Sequence, residues 1–362
     1  MNSVSGSIIF IFVVPFKIYG LKQIDKEVII AFLAKLEQVR SPLVIIPHIN
    51  ADGDAIGSVL GFAGVLKNAG RAVSVISPNH FPDYYKWMDG AGDIVIYTTS
   101  KKKAEALINE AGMIICMDFN HLSRAGEMKS MVGNFEGASI LIDHHPFPQG
   151  FTELTISRPD CSSTAELAFH VVKEMGYGQY LDKRIAECFF CGIMTDTGSF
   201  DYNVSDPQTF QTVSELLTYQ IDPEEIHGKV FDNYSADRMR LLGYCLNECM
   251  EVYPEFHTAM LYLSKEVQQR FNFISGDNEG FVNYPLSIKG IHFSVLFTEK
   301  SDHVKASFRS KGKFAVNEVA SEHFNGGGHR NAAGGEINLP FQETLEKFRN
   351  LLPEYLEKLK ES

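Results

Sequence analysis

The feature that most constrains this chain is a series of short apolar runs, separated by helical stretches, three of which end in acids and imidazoles. The runs are Leu43 to Pro47, Ala72 to Ile76, Asp93 to Tyr97, Met113 to Met117 and Ser139 to Ile142. Each is too short for a helix and too continuously apolar for a strand with one wet face, so they predict strands buried on both sides. Ala55 to Ala69 and Lys101 to Ala111 between them predict helices, and Thr164 to Met175 and Lys183 to Met194 follow as two more. Alternation of this kind predicts an α/β domain, a mostly parallel sheet with helices on both faces.

A length of 362 residues suggests two domains. From Pro207 to about Val252 the pattern is helical. Ala259 to Leu263, Ile291 to Thr298 and His303 to Arg309 then predict strands, and Val316 to Phe324 a helix that leads into Gly326-Gly327-Gly328. The expected plan is an extension over 1–24, a catalytic domain over 25–206, a helical linker over 207–254 and a smaller α+β domain over 255–362. The active site is expected in the cleft between the domains.

The formal net charge of −12 disfavours a protein that coats long nucleic acid, because such proteins present broad basic surfaces. A small phosphorylated ligand needs only a local cationic pocket or metals. The six cysteines form no disulfide framework, so a reducing, cytoplasmic setting is expected. Cys188 and Cys191 lie within the apolar run Ile185 to Met194 and predict core packing, not a zinc site. Ile8 to Phe16 is apolar but shorter than a bilayer span, and no Lys or Arg precedes Lys17. It is expected to lie outside the fold, with no stable membrane association.

Ligands in open α/β sheets bind beyond the carboxyl ends of the strands. Here one run leads into His48, Asp52 and Asp54, another into Asp118, and another into Asp143-His144-His145. A fourth cluster, ending in Asp196, closes a helix. One Asp after a strand is ordinarily a cap or structural partner. Acids and imidazoles at three successive strand ends are harder to explain that way, since crowded carboxylates repel and are costly to desolvate. Divalent cations resolve the conflict. A donor set of oxygen and imidazole without thiolate suits Mn²⁺, or in part Mg²⁺. Two such ions about 4 Å apart engage both the attacking and leaving oxygens of a displacement at phosphorus, and Asp118 is placed to bridge them.

In order and spacing, His48-Ile-Asn-Ala-Asp52-Gly-Asp54-Ala-Ile-Gly57-Ser58, Asp118, Asp143-His144-His145 and Asp196 resemble the motifs of the DHH phosphoesterases. Gly326-Gly327-Gly328-His329-Arg330-Asn331-Ala332-Ala333-Gly334-Gly335 resembles the glycine-histidine motif of their DHHA1 domain. The likeness spans roughly residues 25–350 and is greatest to the branch of bifunctional oligoribonucleases and pAp phosphatases. Ala51 stands where that family usually has Pro, at a loop position that is not a ligand. The resemblance implies that His48, Asp52 and Asp118 hold one metal, and that Asp54, Asp118, His144 and Asp196 hold the other. It implies that His145 faces the phosphate or leaving oxygen as an electrostatic stabiliser or general acid, with Asp143 orienting an imidazole.

The same resemblance makes Arg124, otherwise a solvated surface residue, a phosphate clamp. Ser163 precedes a helix, where it serves as a cap or meets a phosphate at the helix N-terminus. Arg309 is expected to contact a substrate phosphate. Gly326, Gly327, Gly328 and His329 are expected to bring bare backbone N–H groups close to ligand. The implied substrates are very short single-stranded RNA, including dinucleotides, and 3′-phosphoadenosine 5′-phosphate. A cyclic-di-AMP or linear dinucleotide phosphodiesterase is the rival within the same chemistry, and a nucleotide-sensing module the rival outside it. An oligomeric state is left open.

Overall fold

The computed structural model describes residues 24–274 and 276–360. The apolar stretch Ile8 to Phe16 lies outside the described residues. Of the expected extension only Ile24 is described, and it is buried in the first core.

The N-terminal part contains α1 (Lys26–Gln38), β1 (Leu43–Ile46), α2 (Gly53–Asn68), β2 (Val73–Ser77), β3 (Val95–Ile96), α3 (Lys101–Glu110), β4 (Met113–Met117), α4 (Lys129–Gly133), β5 (Ala138–Asp143), β6 (Leu154–Ser157), α5 (Thr164–Glu174) and α6 (Lys183–Asp196). Its sheet has the order β3-β2-β1-β4-β5-β6, and every pairing is parallel. Alternate residues serve opposite faces, as strand geometry requires. Leu43, Ile45, Met113, Ile115 and Met117 face one core with α2, α5 and α6, while Val44, Ile46, Ile114 and Cys116 face another with α3. Burial on both faces is why these runs lack polar alternation. The run Asp93 to Tyr97 yields only the two-residue β3, because Asp93 belongs to a short 3₁₀ turn. β6 has no comparable apolar run and was not expected.

The chain continues with α7 (Pro207–Leu217), α8 (Pro223–Phe231), α9 (Ala236–Glu248), β7 (Met250–Tyr253), β8 (Thr258–Leu263), α10 (Lys265–Arg270), β9 (Phe293–Glu299), β10 (Val304–Ser310), α11 (Val316–His323), β11 (Gly327–His329), β12 (Ala332–Ile337) and α12 (Phe341–Lys360). The second sheet runs β11-β12-β10-β9-β8-β7, antiparallel except for the β8–β9 pair. One face carries α11 and α12 through Val319, Leu345, Phe348 and Leu352. The other meets α9, whose Leu241, Leu242 and Cys245 pack with Leu261, Leu263 and Leu296.

The segment 207–254 therefore does not stand apart as a linker. Leu216 of α7 and Ile226 and Val230 of α8 are buried in the first core, whereas α9 and β7 belong to the second. Amphipathic helices bury their apolar stripe against whatever sheet is adjacent, and here two sheets compete for them. All six cysteines are buried, with Cys188 and Cys191 inside the first core. Among the described residues no helix is long and apolar enough to cross a membrane.

Candidate active site

Strand order reverses between β1 and β4, the central pair of the first sheet, which is the topological position where open α/β sheets form a crevice. β1 runs out into His48 and β4 into Asp118, and His48 Nε2 lies 3.3 Å from Asp118 Oδ2. His48 Nδ1 is bonded to the Ile49 carbonyl at 2.7 Å, so the proton belongs on Nδ1 and Nε2 carries a free lone pair. Asp52 caps α2, one oxygen accepting from the N–H groups of Asp54 and Ala55 at 3.1 Å each. Its other oxygen stands 3.8 Å from His48 Nε2. Asp118 leaves its strand with φ +67°, in the left-handed region that Asp and Asn tolerate better than most residues.

A second group forms where α2, α5 and α6 meet. Asp54 is buried against the N-terminus of α5, accepting from Thr164 N at 2.7 Å and Ala165 N at 2.8 Å. His144 directs Nε2 between Asp54 and Asp118, at 3.8 Å from each, and Asp196 at 3.5 Å. Its Nδ1 faces the Cys161 carbonyl at 3.3 Å. Asp196 reaches this place because α2 and α6 touch almost backbone to backbone. A Cβ on Gly57 would stand 2.5 Å from the Cys188 carbonyl oxygen.

Asp143 is buried, and its Oδ1 accepts from His145 Nδ1 at 2.8 Å. His145 Nε2 meets Arg124 Nη1 at 3.0 Å. A guanidinium only donates, so His145 accepts there and is neutral, with its proton toward Asp143. In this arrangement the His145 nitrogen nearest Arg124 is an acceptor, which suits an electrostatic role through Arg124. Burial, with Arg124 and His144 adding, holds its pKa well below the usual imidazole value.

Burial and crowding set the electrostatics of these acids. Burial, with Asp118, Asp196 and Asp52 adding, pushes Asp54 far above an ordinary carboxylate. Burial pushes Asp196 up to about 7 against the pull of His144, and burial with Asp118 pushes Asp143 up to about 7. At Asp118 burial works upward as well, but the group is held down wherever the neighbouring imidazoles, His48 first, carry protons. Ligand atoms of His48, Asp52 and Asp118 lie within 4.8 Å of one another, as do those of Asp54, Asp118 and His144. His48 Nε2 is buried without a hydrogen-bond partner among the described residues. An orphaned imidazole nitrogen facing carboxylates fits a metal ligand, and both groups share Asp118.

The second domain closes over this edge. His329 places its ring 4.5 Å from that of His145 and 4.8 Å from that of His144. A cavity of about 1260 Å³ opens beside it, lined by His144 and Asp196 on one side and by Arg309, Lys311 and Arg330 on the other. Asp160, Asp201 and Asp206 line it as well.

The other expected residues take these places. Ser163 is fully buried and is the N-cap of α5, its hydroxyl accepting from Glu166 N at 3.0 Å, so it does not face the cleft. Gly326, Gly327 and Gly328 do not line the cavity; they enter the β11–β12 hairpin, where a Cβ on Gly326 would stand 2.0 Å from the Gly334 carbonyl oxygen. Arg124 meets His145 and is absent from the cavity lining. One contributor was not expected: Thr164 Oγ1 donates to Asp118 Oδ1 at 2.8 Å and accepts from His144 N at 3.3 Å. Its only sequence signal is its place at the start of a helix.

The sequence matches the DHH family, N-terminal domain, over residues 42–193 and the DHHA1 domain over residues 260–358. A crystal structure of an exopolyphosphatase-related protein from Bacteroides fragilis is 44% identical, with a TM-score of 0.89, covering 94% of this chain and 99% of that one. The probable bifunctional oligoribonuclease and PAP phosphatase NrnA of Streptococcus mutans is 27% identical over 88% of this chain and 97% of its own length. The protein of that name from Thermus thermophilus is 26% identical over 88% of this chain and 92% of its own.

Proposed function

The chain belongs to the DHH family, a phosphoesterase family, and on that premise we propose that it hydrolyses short RNA oligonucleotides and 3′-phosphoadenosine 5′-phosphate with two divalent cations. The observation that carries this reading is the pair of ligand groups joined at Asp118, opening on a cleft whose far wall bears Arg309, Lys311 and Arg330. We assign one ion to His48, Asp52 and Asp118 and the other to Asp54, Asp118, His144 and Asp196. Oxygen and imidazole donors without thiolate favour Mn²⁺, with Mg²⁺ as the alternative. Cations there would neutralise charge developing at phosphorus and acidify water.

The chain's own groups do the positioning. Thr164 holds Asp118 and the backbone of His144, and Asp143 holds His145. His145 keeps Arg124 directed at the metal edge, where the guanidinium compensates a phosphate. Arg309, whose charge is felt at Asp196, takes a second phosphate in the same cavity. A small phosphorylated ligand would satisfy these few cations, while Asp160, Asp201 and Asp206 in the same cavity oppose a long polyanion.

The 44% identical relative is described as exopolyphosphatase-related, which makes inorganic polyphosphate the substrate to test against. The deciding experiment is a panel of 3′-phosphoadenosine 5′-phosphate, pApA, cyclic-di-AMP, a five-mer RNA, a twenty-mer RNA and polyphosphate. It is run with Mn²⁺ and with Mg²⁺. Highest kcat/KM on the dinucleotide and the bisphosphate is expected. A preference for polyphosphate or the twenty-mer would reject the reading.

A further inference from the structure

Glu166 is a buried carboxylate, 1% exposed, outside both ligand groups. It occupies the third position of α5, and with Ser163 it makes the sequence pattern of a capping box. An ordinary capping-box glutamate reaches back to the N–H of the cap residue and stays in water. Glu166 reaches one residue further. Its Oε2 accepts from Ser162 N at 2.8 Å, from Ser162 Oγ at 2.6 Å and from Thr209 Oγ1 of α7 at 3.1 Å. Its Oε1 lies 3.5 Å from His170 Nε2, which also meets Thr212 Oγ1 at 3.2 Å. Burying a carboxylate among this many donors is more than a cap requires.

The N–H of Ser162 and the C=O of Cys161 belong to one planar peptide unit. Glu166 grips that unit at its N–H, and His144 Nδ1 bonds it at its carbonyl oxygen. A carboxylate on the N–H end polarises the amide and makes its carbonyl a stronger acceptor. A stronger acceptor keeps the His144 proton on Nδ1 and raises the donor strength of Nε2, the nitrogen that faces Asp54, Asp118 and Asp196. We propose that Glu166 is a positioning residue that acts through the Cys161–Ser162 peptide to set the tautomer of His144 and its strength as a metal ligand. The bond to Thr209 adds a second effect, since it ties Ser162, which follows the cleft-lining residues Pro159, Asp160 and Cys161, to the start of α7, where Asp206, Pro207 and Gln208 line the cleft.

This inference rests on the assignment of His144 as a ligand, and its tests separate the two. In the metal-free wild-type protein, at a pH high enough for His144 to be neutral, nitrogen NMR should find its single proton on Nδ1; a neutral ring with its proton on Nε2 would overturn the proposal without any variant being made. For metal binding the probe is Mn²⁺ alone, titrated by calorimetry without substrate. Glu166→Gln, which keeps an acceptor but loses the charge, should weaken Mn²⁺ binding about tenfold. Glu166→Ala should weaken it up to about 100-fold and release the His144 tautomer. Thr209→Val, which spares the Ser162 bonds, should stay within about twofold of wild type. Glu166→Gln with unchanged Mn²⁺ affinity and an unchanged His144 tautomer would overturn the relay. Wild-type protein that binds no Mn²⁺ would reject the metal assignment itself, while the tautomer measurement still decides the relay.

Discussion

His329, contributed by the second domain, lies nearly parallel to His145 of the first, with ring centroids 4.5 Å apart and planes inclined by 27°. Burial, with His144 and His145 adding, pushes its pKa down to about 2, so it is neutral wherever the enzyme works. Its Nε2 is buried without a partner among the described residues. That nitrogen is suited to a phosphate-bearing ligand. His329→Ala should lower kcat/KM on pApA about 10- to 100-fold, from loss of a hydrogen bond to a charged group. Manganese content should stay normal; loss of a full equivalent would make His329 a metal ligand instead.

Asp118 contacts both proposed ligand groups and Thr164, whereas the Asp143 side chain is hydrogen-bonded to His145, the imidazole that holds Arg124. Asp118→Asn should fold normally, because Asn tolerates the left-handed backbone and keeps an acceptor for Thr164. It should lose measurable turnover. Asp143→Asn should retain activity reduced about 10- to 100-fold. Equal residual rates in two folded variants would reject the bridging assignment.

The Arg124–His145 bond makes those two residues one functional unit. His145→Ala and Arg124→Ala should each lower kcat/KM, and the double variant should lose less than the two losses combined. A coupling of about 0.5–3 kcal/mol is expected for residues in contact. Additive losses would show that His145 acts on substrate independently of Arg124.

Arg309 lines the same cavity as Lys311, Arg330 and Asp196. Arg309→Ala should raise KM for pApA and spare metal binding. With two or three phosphates neutralised, and about −0.7 per phosphate on a single strand, the slope of log K against log salt should fall between about −1.4 and −2.1. A slope steeper than about −4, or tighter binding of a twenty-mer than of a trimer, would indicate an extended nucleic-acid groove.

Gly57 tests the packing that delivers the acids. Its Cβ would stand 2.5 Å from the Cys188 carbonyl and 2.9 Å from Gly192 N, both backbone atoms that yield little. Gly57→Ala should cost about 1–3 kcal/mol of stability by overpacking. It should also weaken Mn²⁺ binding, because separating α2 from α6 draws Asp54 away from Asp196. Denaturant unfolding and Mn²⁺ titration measure the two effects.

The central strands and the site they carry were legible because their causes are local. A strand buried on both faces must be apolar at every position, so Leu43 to Ile46 and Met113 to Met117 announce themselves. Side chains beyond a strand end escape that demand, so His48, Asp118 and His144 stand out against the runs before them. Edge elements lack the signal: β6 is half-wet, and β11 is Gly-Gly-His.

Sequence alone determined the α/β plan, the two-domain organisation and the acids and imidazoles at the strand ends, since residue type and short-range period encode them. Only the tertiary structure decided which neighbours those residues meet. Arg124 meets His145, Thr164 meets Asp118, and α9 and β7 join the second sheet. Each outcome depends on partners 20 or more residues away or on the surface left open by other elements, and no local pattern records those. The same holds for Glu166. Its S-x-x-E spelling reads as a cap, and only the packing of α7 over α5 buries it beneath the peptide that holds His144.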